Sequence, residues 1–120
     1  MSVAIVTGSA GLVGSACARE LAGRGLEIVG IDNDMRRVFF GESASTAFCR
    51  ESLQRELPAY THFDADIRDD SALARIFLRY GRDVRAVIHT AAQPSHDWSA
   101  QDPRTDFSVN ALGTLNLLEQ

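Results

Sequence analysis

The sequence predicts an α/β fold in which a parallel sheet carries helices on both faces. Short, almost entirely apolar runs, typical of strands buried on both sides, alternate with segments of helical periodicity. With 120 residues, 45% of them hydrophobic, the chain is long enough for one domain with a substantial core. The predicted strands are Val3–Thr7, Glu27–Ile31, Tyr60–Phe63 and Val84–His89.

Aspartate and proline mark the starts of the later helices. Asp69 or Asp70 is expected to cap a helix that runs to Tyr80, since a carboxylate accepts hydrogen bonds from first-turn N–H groups. Asp102 followed by Pro103 predicts a last helix that continues to the end of the sequence. Three leucines of that helix are expected in the core: Leu112, Leu115 and Leu118.

Two segments lack a regular period and are expected to be loops. Residues 35–58 predict a long connection that contains one helix, Arg50–Leu57, ended by Pro58. A connection of this length in a compact α/β domain is often functional. The second loop follows the fourth strand and carries His96 and Trp98, which could face a substrate or cover the sheet edge.

The glycine-rich turn after the first strand is typical of a phosphate-binding turn. Gly8 permits a tight turn, Gly11 lets the backbone approach a phosphate, and Gly14 lets the helix pack closely on the strand. The N–H groups that begin this helix, at Leu12 and Val13, would face a pyrophosphate. Three glycines alone also fit a plain strand–helix connection, but the flanking strand, helix and later acidic residue predict dinucleotide binding.

Asp32, at the end of the second strand, predicts NAD rather than NADP. Its carboxylate can accept hydrogen bonds from the adenosine ribose hydroxyls and would repel a 2′-phosphate. Arg36 and Arg37 argue the other way, because an arginine here can bind that phosphate. The glycine-rich turn offers no basic residue, so we expect NAD. A solvated turn residue is the alternative interpretation of Asp32.

Composition excludes several classes of protein. A formal charge of −4, with twelve scattered arginines and no lysine, argues against nucleic-acid binding. We see no secretory signal, and no apolar stretch approaches the ~20 residues of a membrane span. Cys17 and Cys49 fit neither a metal site nor a disulfide framework. We expect both to be reduced in a cytoplasmic protein, with Cys17 buried.

Five motifs together resemble the extended short-chain dehydrogenase/reductases, the NAD-dependent epimerases and dehydratases of nucleotide sugars. They are Thr7-Gly8-x-x-Gly11-x-x-Gly14, Asp32-Asn33, Asp66-Ile67-Arg68-Asp69, His89-Thr90-Ala91-Ala92-Gln93 and Asn110-x-x-Gly113-Thr114-x-Asn116-Leu117-Leu118-Glu119. The later segments look most like the CDP-tyvelose (CDP-paratose) 2-epimerase type. The resemblance implies a partial Rossmann fold, a three-layer αβα structure with strand order 3-2-1-4, in which residues 1–120 are the N-terminal part of the NAD-binding domain.

The resemblance also implies roles in cofactor binding. Asp66 and Ile67 would border the adenine, and Ala91–Gln93 would line the pyrophosphate and nicotinamide ribose. Asn110 would direct its side chain to the loop on the cofactor side, whereas His89 is expected to be structural. The predicted cofactor-binding residues are Gly8, Gly11, Leu12, Val13, Gly14, Asp32, Asn33, Asp66, Ile67, Ala91, Ala92, Gln93 and Asn110. The alternative explanations are an ordinary turn at the strand end for Asp66 and simple close packing for Ala91–Gln93.

Enzymes of this family use a tyrosine as acid/base and a lysine four residues later, and the sequence contains no such pair. Its tyrosines are Tyr60 and Tyr80, and it has no lysine. We therefore expect an N-terminal portion that lacks catalytic residues, is inactive alone, and comes from an enzyme acting on a nucleotide sugar. The alternative is a non-catalytic NAD(P)-binding sensor or scaffold. Self-association is expected through the free edge of the fourth strand.

Overall fold

A four-stranded parallel sheet with the order β3-β2-β1-β4 forms the centre of the computed structural model, which describes residues 1–120. In the centre of the sheet, Ile5 of β1 is paired with Val29 of β2 on one side and Val87 of β4 on the other. The α/β fold and the predicted strand order are confirmed. The strands are β1 (Val3–Thr7), β2 (Glu27–Ile31), β3 (Tyr60–Phe63) and β4 (Val84–His89).

Helices cover both faces of the sheet. Asp69 Oδ1 accepts a hydrogen bond from Ala72 N at 3.0 Å, and Asp102 Oδ1 accepts one from Thr105 N at 3.1 Å, so both aspartates are caps. None of the helices combines the length and the apolar character that a membrane-spanning segment requires. The helices are α1 (Leu12–Gly23), α2 (Met35–Phe40), α3 (Ala47–Glu56), α4 (Asp70–Tyr80), α5 (His96–Gln101), α6 (Pro103–Phe107) and α7 (Gly113–Glu119), with a π-helical turn at Ser108–Leu112 and 3₁₀ turns at Glu42–Ala44 and Gly81–Asp83.

The core has two layers because successive strand side chains point to opposite faces. One layer joins β1 and β2 to α4 and to residues 103–119, which we call the final helical segment, and the other joins them to α1 and α3. Every residue of β1 is fully buried, as expected for the central strand of a sheet covered on both faces. The first layer contains Val3, Ile5, Val29, Ile31, Ile67, Leu73, Ile76 and Val109, and the second contains Ala4, Val6, Ala18, Ile28, Leu53 and Tyr60.

The connection between β2 and β3 is more helical than predicted. It contains α2 as well as α3, and α3 begins at Ala47 rather than at Arg50. Asp34, in the left-handed conformation with φ 58°, precedes α2. Its carboxylate accepts hydrogen bonds from Ser45 Oγ at 2.6 Å and Thr46 N at 2.8 Å. These contacts join residues eleven and twelve positions apart, so local periodicity does not show them.

Three further expectations are wrong. His96 and Trp98 lie on α5, which Ser95 Oγ caps, rather than in a loop. Cys17 is only partly buried. The leucines of the final helical segment are not core residues, because Val109, Gly113 and Asn116 form its buried face instead. Their exposed fractions are 41% for Leu112, 50% for Leu115 and 78% for Leu118.

Gly30→Ala is expected to lower the free energy of unfolding by about 1–3 kcal/mol, because the site is fully packed. A Cβ at Gly30 would overlap the Tyr60 hydroxyl and lie 2.6 Å from Ser9 Oγ. Gly23→Ala is the matched control, since no atom lies within 4 Å of its added Cβ. Urea denaturation measures both. Equal midpoints for the two variants would contradict this packing argument.

Candidate functional site

A cavity of about 280 Å³ lies at the carboxyl edge of the sheet, where β1, β2 and β4 end. In parallel α/β sheets, ligands bind at this edge, where the connections on either side of the first strand diverge. The cavity is lined by Gly8, Gly11, Leu12, Val13, Gly14, Ile31, Asp32, Asn33, Met35, Arg36, Phe39, Phe40, Thr46, Ala65, Asp66, Ile67, Thr90, Ala91, Ala92, Pro94 and Val109.

The glycine-rich turn has no room for a side chain at Gly8 or Gly14. Gly8 has φ +66°, and a Cβ there would lie 2.8 Å from Ala91 N. A Cβ at Gly14 would overlap the carbonyl group of Gly8, because α1 starts directly against the end of β1. Both glycines are therefore required by the backbone path, in the packing roles that their spacing predicts.

The start of α1 fits an anionic ligand. Its N-cap, Gly11, has no side chain to cap the first turn, and that turn contains no acidic residue. The N–H groups of Leu12, Val13 and Gly14 have no acceptor within the protein. Free N–H groups at the positive end of a helix bind phosphate groups, and the missing side chains leave space for one to approach.

The Asp32 carboxylate joins the glycine-rich turn to the end of β2. Oδ2 accepts a hydrogen bond from Ala10 N at 3.1 Å, and Oδ1 accepts one from Asp34 N at 2.8 Å. Thr46 Oγ1 also donates to Oδ1, at 3.3 Å. The carboxylate is thereby held at the cavity wall beside Asn33.

The two arginines that oppose the NAD interpretation lie in different places. Arg36 lines the cavity, and its guanidinium carbon lies 5.1 Å from the ring centre of Phe40. Arg37 faces a neighbouring polar cleft that also includes Asp34. The cavity wall therefore presents both a fixed carboxylate, Asp32, and one arginine.

Asp66 and Ile67, which follow β3, also line the cavity. The Arg68 guanidinium forms an ion pair with Asp66, with Nη2 2.6 Å from Oδ2 and Nε 3.0 Å from Oδ1. Burial would raise the pKa of Asp66, but hydrogen bonds from Arg68 outweigh it and hold that pKa below its ordinary value. Ile67 is buried beneath the final helical segment, where a Cβ at Gly113 would lie 2.5 Å from its Cδ1.

Of the predicted residues after β4, Ala91 and Ala92 line the cavity, whereas Gln93 and Asn110 lie outside it and support the loop. Asn110 Oδ1 accepts from Gln93 N at 2.8 Å, and Asn110 Nδ2 donates to Gln93 O at 3.0 Å. Gln93 is 4% exposed, and its Nε2 donates to Asp106 Oδ1 at 2.9 Å. The two amides hold the loop against the final helical segment.

His89 connects α7 to the end of β1, in the structural role expected for it. Thr114 Oγ1 donates to Asn110 O, so it accepts from His89 Nε2–H at 3.0 Å. His89 Nδ1 then accepts from Thr7 Oγ1 at 2.6 Å. The neutral imidazole is required for this arrangement, and partial burial lowers the pKa of His89.

The cavity also contains residues that the sequence analysis did not select. From α2 it includes Met35, Phe39 and Phe40, and from elsewhere Thr46 and Pro94. The positions of Met35, Phe39, Phe40 and Thr46 depend on the fold of the β2–β3 connection, for which the sequence carries no periodic signal.

The amino-acid sequence matches a known family over almost its whole length. The model of the NAD dependent epimerase/dehydratase family covers residues 4–120. The chain belongs to this epimerase/dehydratase family. The resemblance seen in the five motifs is therefore confirmed.

Members of the epimerase/dehydratase family similar to this chain include enzymes of two activities. The chain is 36% identical over 117 residues to dTDP-glucose 4,6-dehydratase 1 of Escherichia coli K12, covering 96% of this chain and 29% of that protein. It is 35% identical to human UDP-glucose 4-epimerase, covering 96% of this chain and 32% of that protein. The chain spans about a third of the length of these curated relatives.

A solved member of the epimerase/dehydratase family has the same fold. The crystal structure of Thermus thermophilus UDP-glucose 4-epimerase in complex with NAD matches with a TM-score of 0.74 at 34% identity. The match covers 99% of this chain and 33% of that one.

His89 is expected to make stability depend on pH. Because its pKa is lowered on folding, the unfolded chain binds more protons as pH falls below the ordinary histidine value of about 6.5, so stability is fully present above that value and falls below it. In His89→Gln the loss between pH 7.5 and 5 should be smaller. His96→Gln is the control, because its ring is 97% exposed. Urea midpoints across pH measure the effect, and identical slopes in His89→Gln and the unsubstituted chain would contradict it.

Proposed function

We propose that this chain is the NAD-binding portion of a nucleotide-sugar epimerase or dehydratase. The observation that carries the proposal is the combination of a glycine-rich turn, unbonded N–H groups at the start of α1, and the fixed Asp32 carboxylate on one cavity. The turn and the N–H groups match the pyrophosphate, which needs space and N–H donors. Asp32 matches the ribose, which needs a hydrogen-bond acceptor. The relative from T. thermophilus was solved with NAD.

The lining residues support one arrangement of NAD in the cavity. In this proposal the pyrophosphate would lie over Gly11 and the start of α1, and the adenosine ribose would lie against Asp32. The adenine would fit between α2 and the Asp66–Ile67 segment, and the nicotinamide half would extend toward Ala91 and Ala92. When bound, NAD would supply a nicotinamide ring that can accept and return a hydride. The small alanine side chains allow close approach of the cofactor.

This chain alone is proposed to be inactive. It contains no lysine, so it has no tyrosine–lysine pair. Tyr60 cannot serve as the catalytic acid/base. Its hydroxyl is hydrogen-bonded within the protein, 2.9 Å from both Ser9 Oγ and His62 Nδ1, and burial raises its pKa to about 12. Sugar recognition and catalysis are assigned to other parts of a longer enzyme. The family match favours that enzyme over a sensor or scaffold, and the free cysteines support a cytoplasmic location.

Asp32→Asn is expected to reduce the preference for NAD over NADP by about tenfold, because it removes the charge that repels a 2′-phosphate. Asp64→Asn removes the same charge from an exposed residue outside the cavity and should leave the preference unchanged. Calorimetric titration of each variant with both cofactors measures the ratio. Tighter binding of NADP than NAD by the unsubstituted chain would contradict the assignment and direct attention to Arg36.

Self-association is also expected, through the outer edge of β4 and the exposed leucines of the final helical segment. β4 has a neighbour on one side only, and Val87 is 40% exposed. Free strand edges and contiguous apolar surface recruit other chains. Sedimentation velocity should show a mass that rises with concentration, and more weakly so in a Leu115→Glu Leu118→Glu variant. A monomer at high micromolar concentration would contradict this expectation.

A further inference from the structure

A contact joins α2, which lines the cofactor cavity, to α5. The indole Nε1 of Trp98, on α5, donates a hydrogen bond to the carbonyl oxygen of Phe39, on α2, at 2.8 Å. The two rings are also in contact, with centroids 5.5 Å apart at a tilt of 59°. We refer to this pair as the Trp98–Phe39 clasp. It combines a directional bond with aromatic packing.

The clasp lies across the glycine-rich turn. α2 follows β2, α5 follows β4, and β1 lies between those two strands in the sheet. A contact between α2 and α5 therefore has to span the end of β1, where the turn begins. Phe39 is 8% exposed and lines the cavity, and so does Pro94, just before α5. Phe39 is therefore the part of the clasp that lines the cavity, and Trp98 contacts Phe39 from outside it.

The parts on either side of the clasp are firmly anchored. Near α5, Ser95 N donates to Gln93 Oε1 at 2.6 Å, and Gln93 is itself held by Asp106 and Asn110. On the α2 side, Asp34 is held by Ser45 and Thr46, as described above. These bonds fix the segments next to each helix.

The clasp itself is held by fewer contacts than the segments beside it. Only one hydrogen bond and one aromatic pair join Trp98 to Phe39. Each of the two helices has six residues, and helices this short have little stability of their own. The joint between the two anchored segments is thus the part of the cavity wall most easily opened.

We propose that the Trp98–Phe39 clasp closes the cofactor cavity over bound dinucleotide, and that its opening limits the rate at which the dinucleotide dissociates. The inference rests on the proposed function and deepens it. Trp98 acts as a positioning residue, through Phe39, and takes no part in hydride transfer. A closure that must open before ligand leaves acts mainly on the dissociation rate constant and less on the association rate constant.

The test compares NAD binding kinetics in three variants by stopped flow. Trp98→Ala, which removes the bond and the ring contact, should raise the dissociation rate constant by about tenfold. Trp98→Phe, which keeps a ring and loses the N–H, should raise it by less. Phe48→Ala, at a 74% exposed aromatic residue outside the cavity, is the control and should leave it unchanged.

A dissociation rate constant that is unchanged in folded Trp98→Ala would overturn the clasp and leave the proposed function intact. Failure of the unsubstituted chain to bind NAD would overturn both.

A measurement without substitution keeps the inference testable if Trp98→Ala does not fold. Trp98 is the only tryptophan, so its indole N–H gives a single resolved NMR signal. Saturating NAD should slow hydrogen exchange of that N–H several-fold, because the ligand favours the closed clasp. Exchange that is equally fast with and without bound NAD would overturn the inference.

Discussion

The hydrogen bonds at the end of β1 determine how the rest of the site is arranged. Thr7 Oγ1 accepts from the N–H groups of Thr90 and Ala91 at 3.1 and 3.2 Å, and Thr90 Oγ1 donates to Thr7 O at 2.6 Å. On the other side, Gly8 N donates to Ile31 O at 2.7 Å. One short segment thereby holds the ends of β2 and β4 at fixed distances from the glycine-rich turn.

This arrangement leaves no space for side chains where α1 meets β1, and that constraint creates the site. A side chain at Gly14 would overlap Gly8, and one at Gly8 would meet the loop after β4. The same close packing leaves the first N–H groups of α1 without protein acceptors and accessible to a ligand. The packing requirement and the binding capacity therefore come from the same residues.

Most of the sheet and half of the site could be predicted, because their signals are local. A buried strand is a short apolar run, and the glycine-rich turn and Asp32 occupy set positions relative to such runs. The helices α2 and α5 could not be predicted, since one depends on Asp34 meeting Ser45 and Thr46, and the other packs on Phe39. The exposure of Leu112, Leu115 and Leu118 does not follow from a regular helical period, because the π-helical turn at Ser108–Leu112 changes which face of the segment is buried.

A titration of isotopically labelled protein with NAD, followed by amide NMR, tests most directly whether the dinucleotide lies over the start of α1, between Asp32 and Ala91. We predict saturable shifts of the amide signals of Gly11, Leu12 and Val13, with smaller ones at Asn33 and Ala92. Shifts confined to the outer edge of β4 and α7, or no saturable shift, would contradict it.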